Sequence, residues 1–181
     1  WGYFVEADLA DKAAIEAAIR EYRVKAVIHF AANAYVTESM QNPRKYFRNN
    51  FVNTLNLLEV MHDVGVKHIV FSSTCATYGL PERIPIPEDH PQRPVSPYGE
   101  SKLFIERALR WFEEAYGFRW VALRYFNAAG ADPEGELGEV HHPETHLIPI
   151  AIETALGYRD ELVIYGNDFP TPDGTAIRDY V

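Results

Sequence analysis

The stretch Ser96 to Lys102 reads Ser-Pro-Tyr-Gly-Glu-Ser-Lys. Pro97 suits the first position of a helix, where its missing N–H costs nothing. Leu103, Phe104, Ile105, Ala108, Leu109 and Phe112 follow at helical spacing. On that helix Tyr98 and Lys102 stand one turn apart on the same face. A tyrosine titrates near ~10, so acting as a base at neutral pH calls for roughly 4 kcal/mol. One ammonium ~4 Å away, at an effective dielectric of ~20, supplies about that much. The two residues could therefore move a proton together. The plain alternative is an ordinary tyrosine and lysine on a helix surface, and a Tyr-x-x-x-Lys spacing alone does not decide between them.

The elements around this helix alternate. Tyr3 to Glu6 reads as a strand, and Asp11 to Tyr22 as an amphipathic helix with Ile15, Ala18 and Ile19 inward. The unbroken apolar run Ala26 to Ala32 predicts a strand buried on both sides of a parallel sheet. Pro43 to Val64 carries Phe47, Phe51, Leu55, Leu58 and Met61 at helical spacing, with Gly65 placed as a C-cap. His68 to Phe71 is a strand, followed by a Pro-rich loop from Leu80 to Pro97. The Tyr98 helix ends near Tyr116-Gly117, and Trp120 to Phe126 is another buried strand. This order predicts an α/β fold with a doubly wound parallel sheet. Ligands of such sheets bind beyond the carboxyl ends of the strands, where Ala31-Ala32-Asn33, Ser72-Ser73-Thr74 and Asn127-Ala128 all fall. After Asn127, glycines and prolines punctuate a long loop. A helix from Leu147 to Leu156 and a short strand from Leu162 to Tyr165 follow, as the start of a smaller lobe.

At 181 residues, the chain has 47% hydrophobic and 24% charged residues, as a soluble globular protein does. The net charge of −9 argues against a nucleic-acid or anionic-membrane surface. The single cysteine, Cys75, excludes an internal disulfide framework and suits the cytoplasm. No apolar run approaches the ~20 residues that cross a membrane.

Several separated stretches occur together in one order: His29-Phe30-Ala31-Ala32, Phe71-Ser72-Ser73-Thr74 with Tyr78-Gly79, Ser96 to Lys102, Arg124-Tyr125-Phe126-Asn127, and Gly166-Asn167-Asp168 onward to Arg178-Asp179-Tyr180. In these the chain resembles the extended short-chain dehydrogenase/reductase family over essentially its whole length. Among its members, it is similar to those that invert C4 of UDP-hexoses, interconverting UDP-glucose and UDP-galactose through a 4-keto sugar with NAD as cofactor. The resemblance implies a Rossmann-like fold, with residues 1–126 part of an NAD-binding domain and 127–181 part of a nucleotide-sugar lobe. It implies a homodimer formed through the helices at 42–64 and 98–116. It also implies a catalytic trio of Thr74, Tyr98 and Lys102, with Thr where the family more often has Ser.

By the same resemblance Asp8 and Leu9 touch the adenine end of NAD. Phe30, Ala31, Ala32 and Asn33 line its middle with Asn50 nearby, and Tyr98, Lys102 and Phe126 serve its nicotinamide end. Asn127, His146, Leu147, Tyr165 and Arg178 join Thr74 in holding the sugar nucleotide. The residues leave alternatives open. Ala31 and Ala32 admit close approach of a ligand or simple strand packing, and Arg178 can bind a diphosphate or pair with Asp173 or Asp179. Dehydratases of the family carry an Asp-Glu pair after the Thr, where this chain has Cys75 and Ala76. Another sugar-nucleotide oxidoreductase or dehydratase, or a noncatalytic nucleotide-binding protein on the same sheet, are the competing readings.

His141, His142 and His146 suggest a metal, but Pro143 breaks a regular helical pair and no Cys joins them, so no metal is expected. The family's phosphate-cradling Gly-x-x-Gly-x-x-Gly does not occur. With a start at Trp1 beside a strand-like run and a stop at Tyr180-Val181, this carries the expectation of an internal piece of a longer protein. Such a piece alone would bind NAD poorly, having lost the helix N-terminus that faces the pyrophosphate.

Overall fold

A computed structural model describes residues 2–181. Two compact units divide them, the first running to Tyr125 and the second spanning Phe126–Val181. In the first unit, capping side chains set the helix starts. Asp11 accepts a hydrogen bond from the Ala14 N–H (3.0 Å) and opens α1, Lys12–Glu21. Ser96 Oγ accepts from the Gly99 N–H (3.2 Å) and opens α5, Pro97–Tyr116. Gly117 closes α5 at φ +70°, a left-handed conformation that suits glycine. Between them lie α2 (Val36–Gln41), α3 (Pro43–Tyr46) and α4 (Asn53–Asp63). The last two are joined by a π-helical turn, Phe47–Val52.

Three parallel strands, β1 (Ala26–His29), β2 (His68–Thr74) and β3 (Arg119–Tyr125), form a sheet in the order β1-β2-β3. Ile69 of β2 pairs with Val27 on one side and Trp120 on the other. Parallel neighbours need crossover connections, which the helices supply. The core joins Ile69 and Phe71 of the sheet to Ile19, Leu57, Leu58, Met61, Ile105 and Leu109 of α1, α4 and α5. An α/β class built on a parallel sheet is what the alternating pattern predicts.

Four local expectations are corrected. Residues 3–6 are not a strand: Tyr3 and Phe4 are exposed and nothing among the described residues extends the ladder beyond β1. Tyr3 instead stacks on Tyr22, ring centroids 4.5 Å apart. Residues 162–165 are likewise not a strand, since no neighbouring backbone pairs with them among the described residues. The run Ala26–Ala32 is a strand only through His29, and neither it nor β3 is buried on both faces. Within this unit the helices cover one face, leaving Ile28, Val121 and Leu123 exposed on the other.

A buried ion pair fastens α5 to the strands. The Glu106 side chain is fully buried, and Arg124 of β3 reaches it with Nη2 at 2.7 Å and Nε at 3.1 Å. Ser73 Oγ (2.5 Å) and Gln92 Nε2 (2.9 Å) donate to the same carboxylate. Burial pushes the Glu106 carboxyl up, but the hydrogen bonds from Arg124, Ser73 and Gln92 outweigh it and hold it below the usual range. Arg124 Nη1 also donates to the Tyr78 hydroxyl (2.8 Å) and the Glu88 carbonyl (3.1 Å), securing the Pro-rich loop. No helix among the described residues is long and apolar enough to cross a membrane.

In the second unit, residues 127–129 pair with 179–181: the Asn127 N–H donates to the Asp179 carbonyl (3.1 Å) and the Val181 N–H to the Asn127 carbonyl (3.0 Å). Its helix is α6, Leu147–Ala155.

Removing one partner of the Glu106–Arg124 pair leaves a buried charge uncompensated. Arg124→Leu is expected to lower the unfolding free energy by about 3–5 kcal/mol, and the double variant with Glu106→Leu to recover part of that loss. Urea unfolding of the two variants checks this, and a loss below ~1 kcal/mol for Arg124→Leu contradicts it.

Candidate functional site

Thr74 ends β2 at the carboxyl edge of the sheet, in extended backbone. Its Oγ1 accepts from the Ala76 N–H (3.1 Å), and its carbonyl accepts from the Thr77 hydroxyl (3.0 Å), so the chain turns sharply through Cys75–Thr77. The first turn of α5 closes directly onto this corner. A Cβ on Gly99 would come within 2.6 Å of the Ala76 carbonyl oxygen, so the contact requires glycine. Tyr98 is thereby brought near Thr74, whose hydroxyl favours the phenolate. Lys102, one turn on, is 3% exposed. Its Nζ donates to the Ser72 carbonyl at 2.8 Å, over the Phe71 ring at 4.9 Å from the centroid. Of the three donors an ammonium carries, this uses one.

The electrostatics differ from the expectation drawn from spacing alone. Burial pushes the Tyr98 phenol up; the Thr74 hydroxyl works against that, and the nearby Cys75 adds to it. Lys102 is not among the groups acting on the phenol. Its Nζ is held at the strand carbonyl, 6.0 Å from the Tyr98 ring centroid. Burial alone brings the Lys102 amine down to about 8. Tyr98 and Lys102 are therefore both protonated at neutral pH in the protein by itself.

The loop after β1 carries Phe30 and Ala31, exposed, with Ala32 and Asn33 half-buried. Asn50, fully buried in the π-helical turn, spends its amide inward. Oδ1 accepts from the Asn33 N–H (2.8 Å), while Nδ2 donates to the Asn33 carbonyl (3.0 Å) and to Ser101 Oγ (3.1 Å). Ser101 Oγ in turn donates to the Tyr98 carbonyl (2.7 Å). Asn50 thus ties the 30–33 loop to the helix carrying Tyr98 and Lys102. His29 hydrogen-bonds Thr54 Oγ1 through Nε2 (2.8 Å). Burial first, and the Lys102 charge second, bring it down to about 4, so it is neutral. Asp8 and Leu9 lie in the turn before α1, where Asp8 Oδ1 accepts from the Ala10 N–H (2.7 Å).

The remaining predicted residues belong to the second unit. Phe126 opens it, half-buried. Asn127 Nδ2 donates to the Asp179 carbonyl (2.6 Å). His146 precedes α6, with Nδ1 2.8 Å from Glu144 Oε1. Leu147 is exposed and Tyr165 almost fully so. Arg178 donates to its neighbour's Ile177 carbonyl (3.0 Å) and forms no ion pair among the described residues. Sequence reasoning missed Glu106 and Ser101. A carboxylate four residues beyond Lys102 among Leu103, Ile105 and Leu109 was the available signal for the first.

The residues present fit a nucleotide cofactor. A buried ammonium with two unspent donors, beside a phenol at the edge of the sheet, suits hydroxyl and carbonyl acceptors, and the small Ala31 and Ala32 leave the adjacent backbone approachable.

A model of the NAD dependent epimerase/dehydratase family matches residues 2–181. A UDP-glucose 4-epimerase of Streptococcus mutans is 56% identical over 179 residues, which are 98% of this chain and 54% of that protein. The crystal structure of UDP-glucose 4-epimerase from Brucella ovis in complex with NAD has a TM-score of 0.96 and 54% identity, covering 100% of this chain and 56% of that one. The UDP-glucose 4-epimerase from Stenotrophomonas maltophila with bound NAD and formylated UDP-arabinopyranose has a TM-score of 0.92 and 37% identity, over 98% of this chain and 54% of that one. The chain spans about half the length of the curated relatives it matches.

The lowered Lys102 pKa has a sign that can be tested. Below pH 8 both folded and unfolded chains carry the proton, and the buried charge is a standing cost. Between about 8 and 10.5 only the unfolded chain keeps it, so stability rises with pH. Lys102→Met is expected to be more stable than the parent at neutral pH by about 1–3 kcal/mol, with the gap closing across that window. Chemical unfolding of both forms as a function of pH checks this, and a gap that does not change with pH contradicts it.

Proposed function

Because the chain belongs to the NAD dependent epimerase/dehydratase family, we propose that the full protein interconverts UDP-glucose and UDP-galactose by inverting C4 through a 4-keto sugar. The observation that carries this is the Thr74 hydroxyl meeting the Tyr98 phenol at the end of β2, with the buried Lys102 amine one turn away. When bound, NAD supplies a hydride acceptor that can return the hydride, and its oxidised ring adds a positive charge. Tyr98 takes the proton of the C4 hydroxyl and gives it back after the sugar has turned. Thr74 hydrogen-bonds the reacting oxygen. Lys102 offers its unspent donors to the cofactor's hydroxyls and, while held at the Ser72 carbonyl, adds little to the phenolate's stability by itself. Elimination of water would call for a further acid and base after Thr74, where the chain has Cys75 and Ala76.

In this reading residues 1–126 belong to the NAD-binding domain. Asp8 and Leu9 serve the adenine end, Phe30, Ala31, Ala32 and Asn33 the middle, and Phe126 the nicotinamide end. Asn50 acts from behind, holding the 30–33 loop. Residues 127–181 belong to the nucleotide-sugar lobe, with Asn127, His146, Leu147 and Tyr165 contacting the sugar nucleotide and Arg178 its diphosphate. An Arg178 guanidinium with no carboxylate partner among the described residues supports that role. The protein acts as a homodimer through the helices at 42–64 and 98–116. The cluster of Phe47, Phe51 and Phe104, half-buried within one chain, supports that pairing. A single cysteine supports a cytoplasmic location.

Full-length protein given UDP-galactose and no added cofactor is expected to form UDP-glucose. Tyr98→Phe is expected to lower kcat by at least ~100-fold, the scale of a lost general base, while the bound NAD content stays unchanged. Near-parental turnover by Tyr98→Phe would show that another group moves the proton, and no conversion by a folded parent protein would end the epimerase reading.

A further inference from the structure

Four side chains before α6 converge on one point, and of these only His146 has a part in the proposed reaction, as a contact to the sugar nucleotide. Glu139, His141, Glu144 and His146 each offer one ligand atom, and all four atoms lie within 4.8 Å of one another. Glu139 Oε1 is 2.9 Å from both His141 Nδ1 and His146 Nδ1. Glu144 Oε1 is 2.8 Å from His146 Nδ1, and Oε2 is 3.8 Å from His141 Nδ1. The Glu144 side chain is 7% exposed and the other three are partly covered. His141 Nδ1 is itself buried, yet has no hydrogen-bond partner among the described residues: the Glu139 oxygen is near but lies off the ring nitrogen's bonding direction.

We propose that Glu139, His141, Glu144 and His146 form a structural site for a divalent first-row transition metal, with zinc as the fitting ion. Zinc takes imidazole nitrogen and carboxylate oxygen at ~2.0–2.2 Å in a tetrahedron, which separates neighbouring ligand atoms by about 3.4 Å. The measured separations of 2.8, 2.9, 2.9 and 3.8 Å bracket that value. Calcium and magnesium prefer oxygen alone, so the two imidazoles select against them. A cation neutralises two carboxylates held side by side and engages the orphaned His141 nitrogen, whose burial otherwise carries a desolvation cost. Four protein ligands leave no open position, so the ion shapes the chain rather than doing chemistry. It fixes the turn through His142 and Pro143 and with it the approach to α6. The absence of a helical His pair does not matter here, because the turn, not a helix, brings positions 141 and 146 together.

The test is metal uptake by the full-length protein, stripped with chelator and titrated with Zn²⁺. One zinc per chain is expected by elemental analysis, with a rise in Tm on loading. Replacement by Co²⁺ should give the visible bands of a tetrahedral site with nitrogen and oxygen ligands. Glu139→Gln and His141→Ala are each expected to weaken zinc binding by at least ~10-fold, while His142→Ala, beside the cluster but not in it, leaves binding unchanged. No stoichiometric uptake by the stripped, folded protein would overturn the site and leave the cluster as polar contacts between the histidines and carboxylates. Uptake that His141→Ala and Glu139→Gln do not weaken would overturn the ligand assignment.

Discussion

The close seating of α5 on the end of β2 is the constraint from which the candidate site follows. It depends on Gly99, because a side chain there would strike the Ala76 carbonyl. With that contact made, the first turn of α5 and the corner after Thr74 are largely withdrawn from water. Tyr98 meets Thr74, and the Lys102 amine meets the Ser72 carbonyl. The same drying sets the electrostatics. Desolvation disfavours charge on any group, so it moves the phenol up and the amine down. Both directions are found, and burial is the largest cause of each.

Two polar networks hold this arrangement from opposite sides. On one, Asn50 joins the 30–33 loop to Ser101 and so to the Tyr98 backbone. On the other, Glu106 gathers Ser73, Gln92 and Arg124, and Arg124 extends the grip to Tyr78 and the Glu88 carbonyl. Thr74 and Lys102 are direct neighbours of members of these networks, at Ser73 and Ser101. Buried polar groups of this kind are costly unless satisfied, and here each acceptor of Glu106 is engaged. A packed apolar interface could slide by part of a turn, whereas these bonds admit one register between α5 and β2. The networks therefore bear on where the site residues stand more than on total stability.

What was legible in the sequence is what local physics decides. Helical periodicity, Pro97 and the end near Tyr116-Gly117 mark out α5 almost to the residue, and the periodic run from Asp11 to Tyr22 does the same for α1. Strands β2 and β3 were readable as apolar runs. Illegible features depend on partners distant in sequence. Tyr3 to Glu6 has the composition of a strand, but a strand exists only where another backbone completes its ladder. Ile28, Val121 and Leu123 read as core, yet they sit on the sheet face that the helices of the first unit leave open. The direction of the Tyr98 shift is illegible in the sequence for the same reason. Spacing gives the distance between two side chains on a helix, but the orientation of Lys102 toward Ser72 and the burial of the phenol are tertiary facts. The grouping of Glu139 with His141, Glu144 and His146 was hidden because its geometry belongs to a turn that no period describes.

The raised phenol pKa is compatible with a base rather than opposed to it. A group dried by its surroundings answers more strongly to a nearby charge, because Coulomb energy scales inversely with the effective dielectric. Tyr98 by itself stays protonated, and the buried Lys102 contributes little while its amine is held at Ser72 and can discharge above about 8. An added positive charge at the sheet edge would act on the phenol with little screening, and would gain most where water is excluded. In the proposed reaction that charge arrives with the oxidised cofactor. The proton acceptor is then switched on only when the hydride acceptor is also in place. Burial, which in the free protein works against the phenolate, is what would make the two halves of the reaction conditional on each other.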